Sequence, residues 1–151
     1  MVSRLKLLEV TFCILGILFI FFITLDWIVE SRPNLLPWAK THMFVILLGV
    51  CVTSALAGIY LAFLSLYWGK YGSKIFKSVE RGDLAYYCFR FIMPLGYFML
   101  SLDYLEKIGE LTRQAWLVNI YHVGQDILLT IAIMGVILYF ILRRLGKIPH
   151  R

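Results

Sequence analysis

The chain has 151 residues, a formal net charge of +6, and a hydrophobic fraction of 61%. An ordinary soluble domain is about 45–50% apolar, and a water-soluble fold of this length has too little interior to hide the excess. The composition therefore argues against a soluble globular protein. The basic residues gather at the ends of apolar runs, where they act as topology signals, so nucleic acid is not an expected partner.

Four apolar runs are long enough to cross a bilayer, since a hydrocarbon core of about 30 Å needs about 20 residues of helix. We predict spans over residues 7–29, 42–68, 84–102 and 116–142, all within a single domain, residues 1–151. The runs are continuous rather than alternating, which favours helices over a barrel. The first run is too long for a signal peptide and no small-residue cleavage site follows it, so we expect it to remain as a span.

The distribution of lysine and arginine predicts the orientation, because basic residues collect on the cytoplasmic side. They concentrate at the N-terminus, in the central connector and in the C-terminal tail (Arg4, Lys6, Lys70, Lys74, Lys77, Arg81, Arg143, Arg144, Lys147 and Arg151). The fold class predicted is an all-α integral membrane protein, a four-helix up-down bundle with both termini cytoplasmic. The expected location is a plasma or inner membrane.

The connectors carry their own signals. Pro33 and Pro37 predict that helices stop in the first connector. In the third connector, residues 103–115, leucine and isoleucine recur at near-helical spacing. That pattern predicts either an interfacial helix or an extension of the third span beyond the bilayer.

Small residues and a proline mark two of the spans. Ser54 and Gly58 form a small-xxx-small pair, which allows close approach of a helix from this chain or from another. Pro94 with Gly96 predicts a kink in the third span, which serves either packing or a gate. The three cysteines (Cys13, Cys51 and Cys88) show no CxxC spacing, so neither a disulfide framework nor a zinc knuckle is expected.

Ionisable residues inside a membrane are candidate site residues by default. By topology, His42, His122, Asp126 and Asp26 lie near the outer membrane face, and His122 and Asp126 share a helix face at i, i+4. This donor set predicts a metal site for copper, iron or zinc, or one haem b held by the two histidines. The alternative is that these side chains simply meet water and lipid headgroups at the span ends.

A second group is predicted at the inner face. Glu9 lies early in the first span and Arg90 about two turns into the third, so their depths match. Because buried charges are usually paired, we predict an intramembrane Glu9–Arg90 ion pair. The alternative is that Arg90 holds the carboxylate or phosphate of a substrate, or a lipid phosphate.

No nucleotide-binding or nucleophile motif occurs: the chain lacks a P-loop, GxGxxG and GxSxG. With short connectors as well, the sequence favours a non-catalytic or accessory subunit of a larger membrane complex, such as a redox or oxygenase complex. Its partners would be other membrane subunits and the lipid bilayer. One alternative is a metal- or haem-binding redox protein that uses the outer His/Asp group. A second is a small transporter or channel that uses Glu9, Arg90 and Pro94.

Overall fold

A computed structural model describes residues 4–32, 34–67, 71 and 84–145, and every regular element in these ranges is a helix. The elements are α1 (Arg4–Ser31), α2 (Pro37–Thr41), α3 (Met43–Leu66), α4 (Leu84–Tyr87), a π-helix (Cys88–Ile92), α5 (Met93–Thr112) and α6 (Ala115–Arg144). Most of the predicted central connector and the tail after residue 145 lie outside the described residues.

Three helices of the described part of the chain are long and apolar enough to cross a membrane. They cover Lys6–Ser31, Met43–Leu66 and Ala115–Leu142, close to three of the predicted spans. The predicted span 84–102 is not among them, so a bundle of four spanning helices is not confirmed. The reason is that this region is divided among α4, the π-helix and α5, and the second half of α5 is rich in charged residues (Asp103, Glu106, Lys107 and Glu110).

The connectors are more helical than their prolines indicate. Pro37 begins the short helix α2 instead of ending one, because the first turn of a helix needs no amide hydrogen at that position. The third connector proves to be an extension of α5 to Thr112. Arg113 then adopts a left-handed conformation with φ of 56°, and the Gln114 amide donates to the Gly109 carbonyl oxygen at 2.8 Å. This reversal starts α6 within three residues.

Helix α3 lies at the centre of the bundle. It packs against α1 and α5, and α5 packs in turn against α6. In the most apolar 18-residue stretch of each helix, 50% of the residues of α3 are buried, compared with 11% for α1 and 0% for α6. The main core cluster joins α3, α5 and α6 through buried side chains (Leu47, Val50, Tyr104, Ile108 and Leu117).

Glycines on α3 set how closely its neighbours approach. A Cβ atom at Gly49 would overlap the ring of Phe22 on α1, and one at Gly58 would lie 3.1 Å from the ring of Phe98 on α5. The predicted small-residue face therefore packs, at Gly58, against a helix of the same chain. Pro94 lies at the start of α5, directly after the π-helix, so two sources of helix irregularity are adjacent there.

Candidate functional site

Four polar side chains of α1 and α5 form the most connected polar group among the described residues. We call it the Asp26 cluster: Asp26 and Glu30 on α1, and Tyr104 and Lys107 on α5. The members on each helix are three or four residues apart, so each pair shares one helix face. Asp26 is only 2% exposed although it belongs to the apolar segment Lys6–Ser31.

The hydrogen bonds of the Asp26 cluster cross from α5 to α1. The Tyr104 hydroxyl donates to Asp26 Oδ2 at 2.5 Å, and the Lys107 ammonium donates to Glu30 Oε1 at 2.7 Å. Lys107 Nζ also lies 3.6 Å from Asp26 Oδ2 and 4.8 Å from the centre of the Tyr104 ring. A single ammonium thus faces two carboxylates and an aromatic ring.

The electrostatics of the Asp26 cluster favour protonated donors. Burial by itself lowers the pKa of Lys107, but the hydrogen bond to Glu30 and the charges of Asp26 and Glu30 outweigh it, so the pKa of Lys107 is raised above its usual value. Burial, together with the hydrogen bond to Asp26, raises the pKa of the Tyr104 phenol. Both donors stay protonated at neutral pH and keep their bonds to the carboxylates.

One atom of the Asp26 cluster is not satisfied. Asp26 Oδ1 is buried and has no hydrogen-bond partner. A buried carboxylate oxygen without a donor is costly, so the Tyr104 and Lys107 contacts to Oδ2 carry the stabilisation of this charge. These contacts join α1 directly to α5, although each of the two helices packs mainly against α3.

The four residues predicted for a metal site do not meet. His42 is exposed between α2 and α3, with Nδ1 at 2.8 Å from the Trp38 carbonyl oxygen. His122 and Asp126 are exposed on α6, whereas Asp26 is buried against Tyr104 and Lys107. Among the described residues, no group of three or more histidine, cysteine or acidic side chains could hold a metal ion. The predicted metal site is therefore unsupported, and a haem held by the two histidines stays a prediction.

The predicted inner pair is also separate in the structure. Glu9 is exposed on α1, and it takes no part in the ion pairs that Lys107 forms with Asp26 and Glu30. Arg90 lies in the π-helix, where one Nη donates to the Tyr86 hydroxyl and the guanidinium stands 5.2 Å from the centre of the Tyr86 ring and 5.3 Å from that of Phe91. Its Nε is buried without a hydrogen-bond partner. The Glu9–Arg90 pair stays a prediction without geometric support.

The residues that sequence reasoning missed are the partners of Asp26. Tyr104 and Lys107 lie in the predicted third connector, residues 103–115, and Glu30 follows directly after the first predicted span, residues 7–29. The available signal was the spacing: Asp26 and Glu30 at i, i+4, opposite Tyr104 and Lys107 at i, i+3. Helical continuation of α5 beyond residue 102 brings the two pairs to the same level.

Comparison with known proteins found no matching protein family, no matching curated protein and no matching solved structure.

Proposed function

We propose that this chain is a non-catalytic, accessory subunit of a larger membrane protein complex. The observation that carries the proposal is the state of α6. Its span Ala115–Leu142 has a mean hydropathy of 2.2, yet 0% of its most apolar window is buried within the chain. A helix that packs mainly on one neighbour leaves most of its surface for lipid or for helices of other subunits.

The proposed arrangement is a four-helix membrane bundle with both termini cytoplasmic. The positive-inside distribution of lysine and arginine supports this orientation, and the third membrane crossing would be made by α4, the π-helix and the first half of α5. Three exposed tryptophans support this orientation at the non-cytoplasmic face of the proposed bundle. Trp27 lies near the C-terminal end of α1, Trp38 lies in α2, and Trp116 lies near the N-terminal end of α6. An interfacial aromatic belt is expected there.

The Asp26 cluster supports a structural role for this chain. Its donors are bound within the cluster, because the Tyr104 hydroxyl and the Lys107 ammonium both donate to carboxylates of α1. Such a cross-helix network fixes α1 relative to α5. The bundle can then act as a rigid unit against which other subunits pack.

The test is extraction from the native membrane in a mild detergent, followed by native mass determination and identification of every chain in the particle. The proposal expects defined partner chains at a fixed ratio. A particle that contains this chain alone, or several copies of it, overturns the proposal.

A second candidate function, transport of an anion, has one specific observation in its favour. Arg90 lies in a π-helix next to Pro94, and its buried Nε has no hydrogen-bond partner. π-helices occur frequently at functional sites, and an unpaired guanidinium nitrogen suits a carboxylate or phosphate. Anion flux into liposomes that contain the purified chain, abolished in Arg90→Ala, would support transport; equal flux in empty liposomes would overturn it.

A further inference from the structure

The exposed side of α6 is not uniformly apolar. Asn119, His122, Asp126 and Thr130 recur at spacings of three and four residues, and all four are exposed. We call them the α6 polar stripe. At about 100° of rotation per residue, the stripe lies on the side of α6 opposite to the face packed against α5, which includes Leu117 and Gly124. The stripe therefore points away from the bundle.

The depth of the α6 polar stripe makes its exposure significant. Asp126 lies eleven residues after Ala115, which is about 16 Å along the helix axis, and His122 lies about one turn earlier. With Trp116 at the membrane interface, as proposed above, Asp126 lies ten residues or about 15 Å further along α6, inside a hydrocarbon core of about 30 Å. Ionised side chains at such a depth are rare and normally face a partner or a water-filled cavity.

The described part of the chain supplies no such partner. The Thr130 hydroxyl donates to the backbone carbonyl oxygen of Asp126, and no side chain of the described residues donates to the Asp126 carboxylate. His122 contacts the ring of its neighbour Tyr121. Lipid satisfies the exposed leucines and isoleucines of α6, but it offers no donor to a carboxylate in the hydrocarbon layer.

We propose that the α6 polar stripe is the docking surface for a membrane-spanning helix of another subunit, one that carries a lysine or arginine at the depth of Asp126. This inference rests on the proposed function and names the surface and the chemistry of the partner. The partner's cation pairs with the Asp126 carboxylate, while His122 and Asn119 offer further hydrogen-bonding groups one and two turns along the same face.

Charge complementarity selects this partner over a second copy of the chain. Between Ala115 and Leu142 there is no lysine or arginine, so an α6–α6 contact brings no arginine or lysine to either Asp126. A two-fold contact places the same face of each copy against the other, which brings the two carboxylates together. A two-fold contact through the stripe therefore leaves each Asp126 without an arginine or lysine, which a spanning helix of another subunit can supply.

The experiment compares purified complexes of the full chain and its variants from native membranes. Asp126→Leu removes the carboxylate and keeps α6 apolar, and Glu110→Leu removes an exposed carboxylate at the end of α5 as the matched control. We expect the fixed-ratio partner to fall by about tenfold or more in Asp126→Leu and to be unchanged in Glu110→Leu. The partner must carry a lysine or arginine within a span, and exchanging that residue for aspartate must restore assembly with Asp126→Lys.

The outcomes separate this inference from the proposed function. Partners that remain bound to Asp126→Leu overturn the docking surface while the accessory-subunit proposal stands. Wild-type protein that purifies without partners overturns the proposed function itself. A homodimer that dissociates in Asp126→Leu overturns the heterologous partner and replaces it with a second copy. A melting temperature of Asp126→Leu equal to that of the isolated wild-type chain excludes misfolding as the cause of lost assembly.

Discussion

Helices α3 and α6 are nearly equal in apolar character and opposite in their packing. Their mean hydropathies are 2.3 and 2.2, yet 50% of the residues in the most apolar 18-residue stretch of α3 are buried, compared with 0% in that of α6. The difference lies in where the small residues meet large ones. Gly49 and Gly58 of α3 receive rings from two different helices, Phe22 of α1 and Phe98 of α5. On α6, Gly124 receives Leu102 of α5 alone, and a Cβ atom at Gly135 would have no neighbour within 4 Å.

This contrast shows that hydropathy does not distinguish a helix at the centre of a membrane bundle from one at its edge. In lipid, apolar surface alone gives no reason for two helices to associate, because lipid tails are as apolar as leucine. Close backbone approach and interlocking side chains decide the matter, and both depend on residues from other helices. The predictions below test the contrast by changing α3 and α6 in matched ways.

The largest effect is expected from filling the α3 glycine. Gly49→Leu places side-chain atoms where the Phe22 ring lies and should destabilise the bundle by about 3 kcal/mol. Gly135→Leu, on the open side of α6, should leave stability unchanged or raise it slightly, because leucine is the better helix former. Thermal denaturation in detergent compares the two, and equal losses would contradict the central position of α3.

A smaller effect is expected from shortening buried leucines. Leu64 is 1% exposed on α3, and Leu64→Ala should cost about 2 kcal/mol through the cavity that it leaves. Leu138 is 56% exposed on α6, and Leu138→Ala should cost close to nothing, since lipid fills the space. The free energies of unfolding, measured in the same detergent, give the comparison. A cost at Leu138 as large as that at Leu64 would show that α6 is packed against a further element.

The Asp26 cluster extends the contrast to polar contacts. Tyr104→Phe removes the donor to the buried Asp26 carboxylate and should cost about 1–2 kcal/mol of unfolding free energy. Tyr139→Phe on α6 is the control, because the ring contact of Tyr139 with Tyr87 survives the loss of its hydroxyl. If the two variants unfolded at the same temperature, the bond between α1 and α5 would contribute nothing to stability.

The smallest effect is the alkaline pH dependence. The folded protein raises the pKa of Tyr104 and of Lys107 above their ordinary values of 10.0 and 10.5, so the folded state binds these protons more tightly than the unfolded state. The resulting stability is complete below pH 10 and is lost as the pH rises above that value. Melting temperatures between pH 9 and 11 should fall, and less steeply in Tyr104→Phe. An increase in melting temperature over this range would contradict the raised pKa values of Tyr104 and Lys107 in the folded state.

The parts of the fold that were predictable from sequence are those set by continuous composition. The spans around α1, α3 and α6 follow from long apolar runs, and their observed ends lie within a few residues of the predicted ones. The helical content of the third connector was predictable as one of two alternatives, because its apolar spacing is helical. The third span was not confirmed, since the π-helix interrupts the predicted segment 84–102 and the helix that follows, α5, is rich in charged residues beyond residue 102.

The candidate site was much less predictable. Asp26 was singled out because a carboxylate within an apolar run is unusual, but its partners Tyr104 and Lys107 were not predicted to contact it. His42 and His122 were grouped by membrane face alone, which gives two residues a similar depth without giving them the same neighbours. Which residues meet depends on the rotation of each helix about its axis, and hydropathy does not carry that information.

The linear order of residues was sufficient to predict an all-helical, membrane-compatible chain, because runs of about twenty apolar side chains are long enough to cross a bilayer as helices, which satisfy their own backbone hydrogen bonds. It was also sufficient to mark Asp26 and Asp126 as exceptional carboxylates. Tertiary packing alone decided that Asp26 turns inward to Tyr104 and Lys107 while Asp126 turns outward, and that α3 rather than α6 lies at the centre. Those outcomes depend on complementary shapes and charges contributed by distant segments, which no local pattern contains.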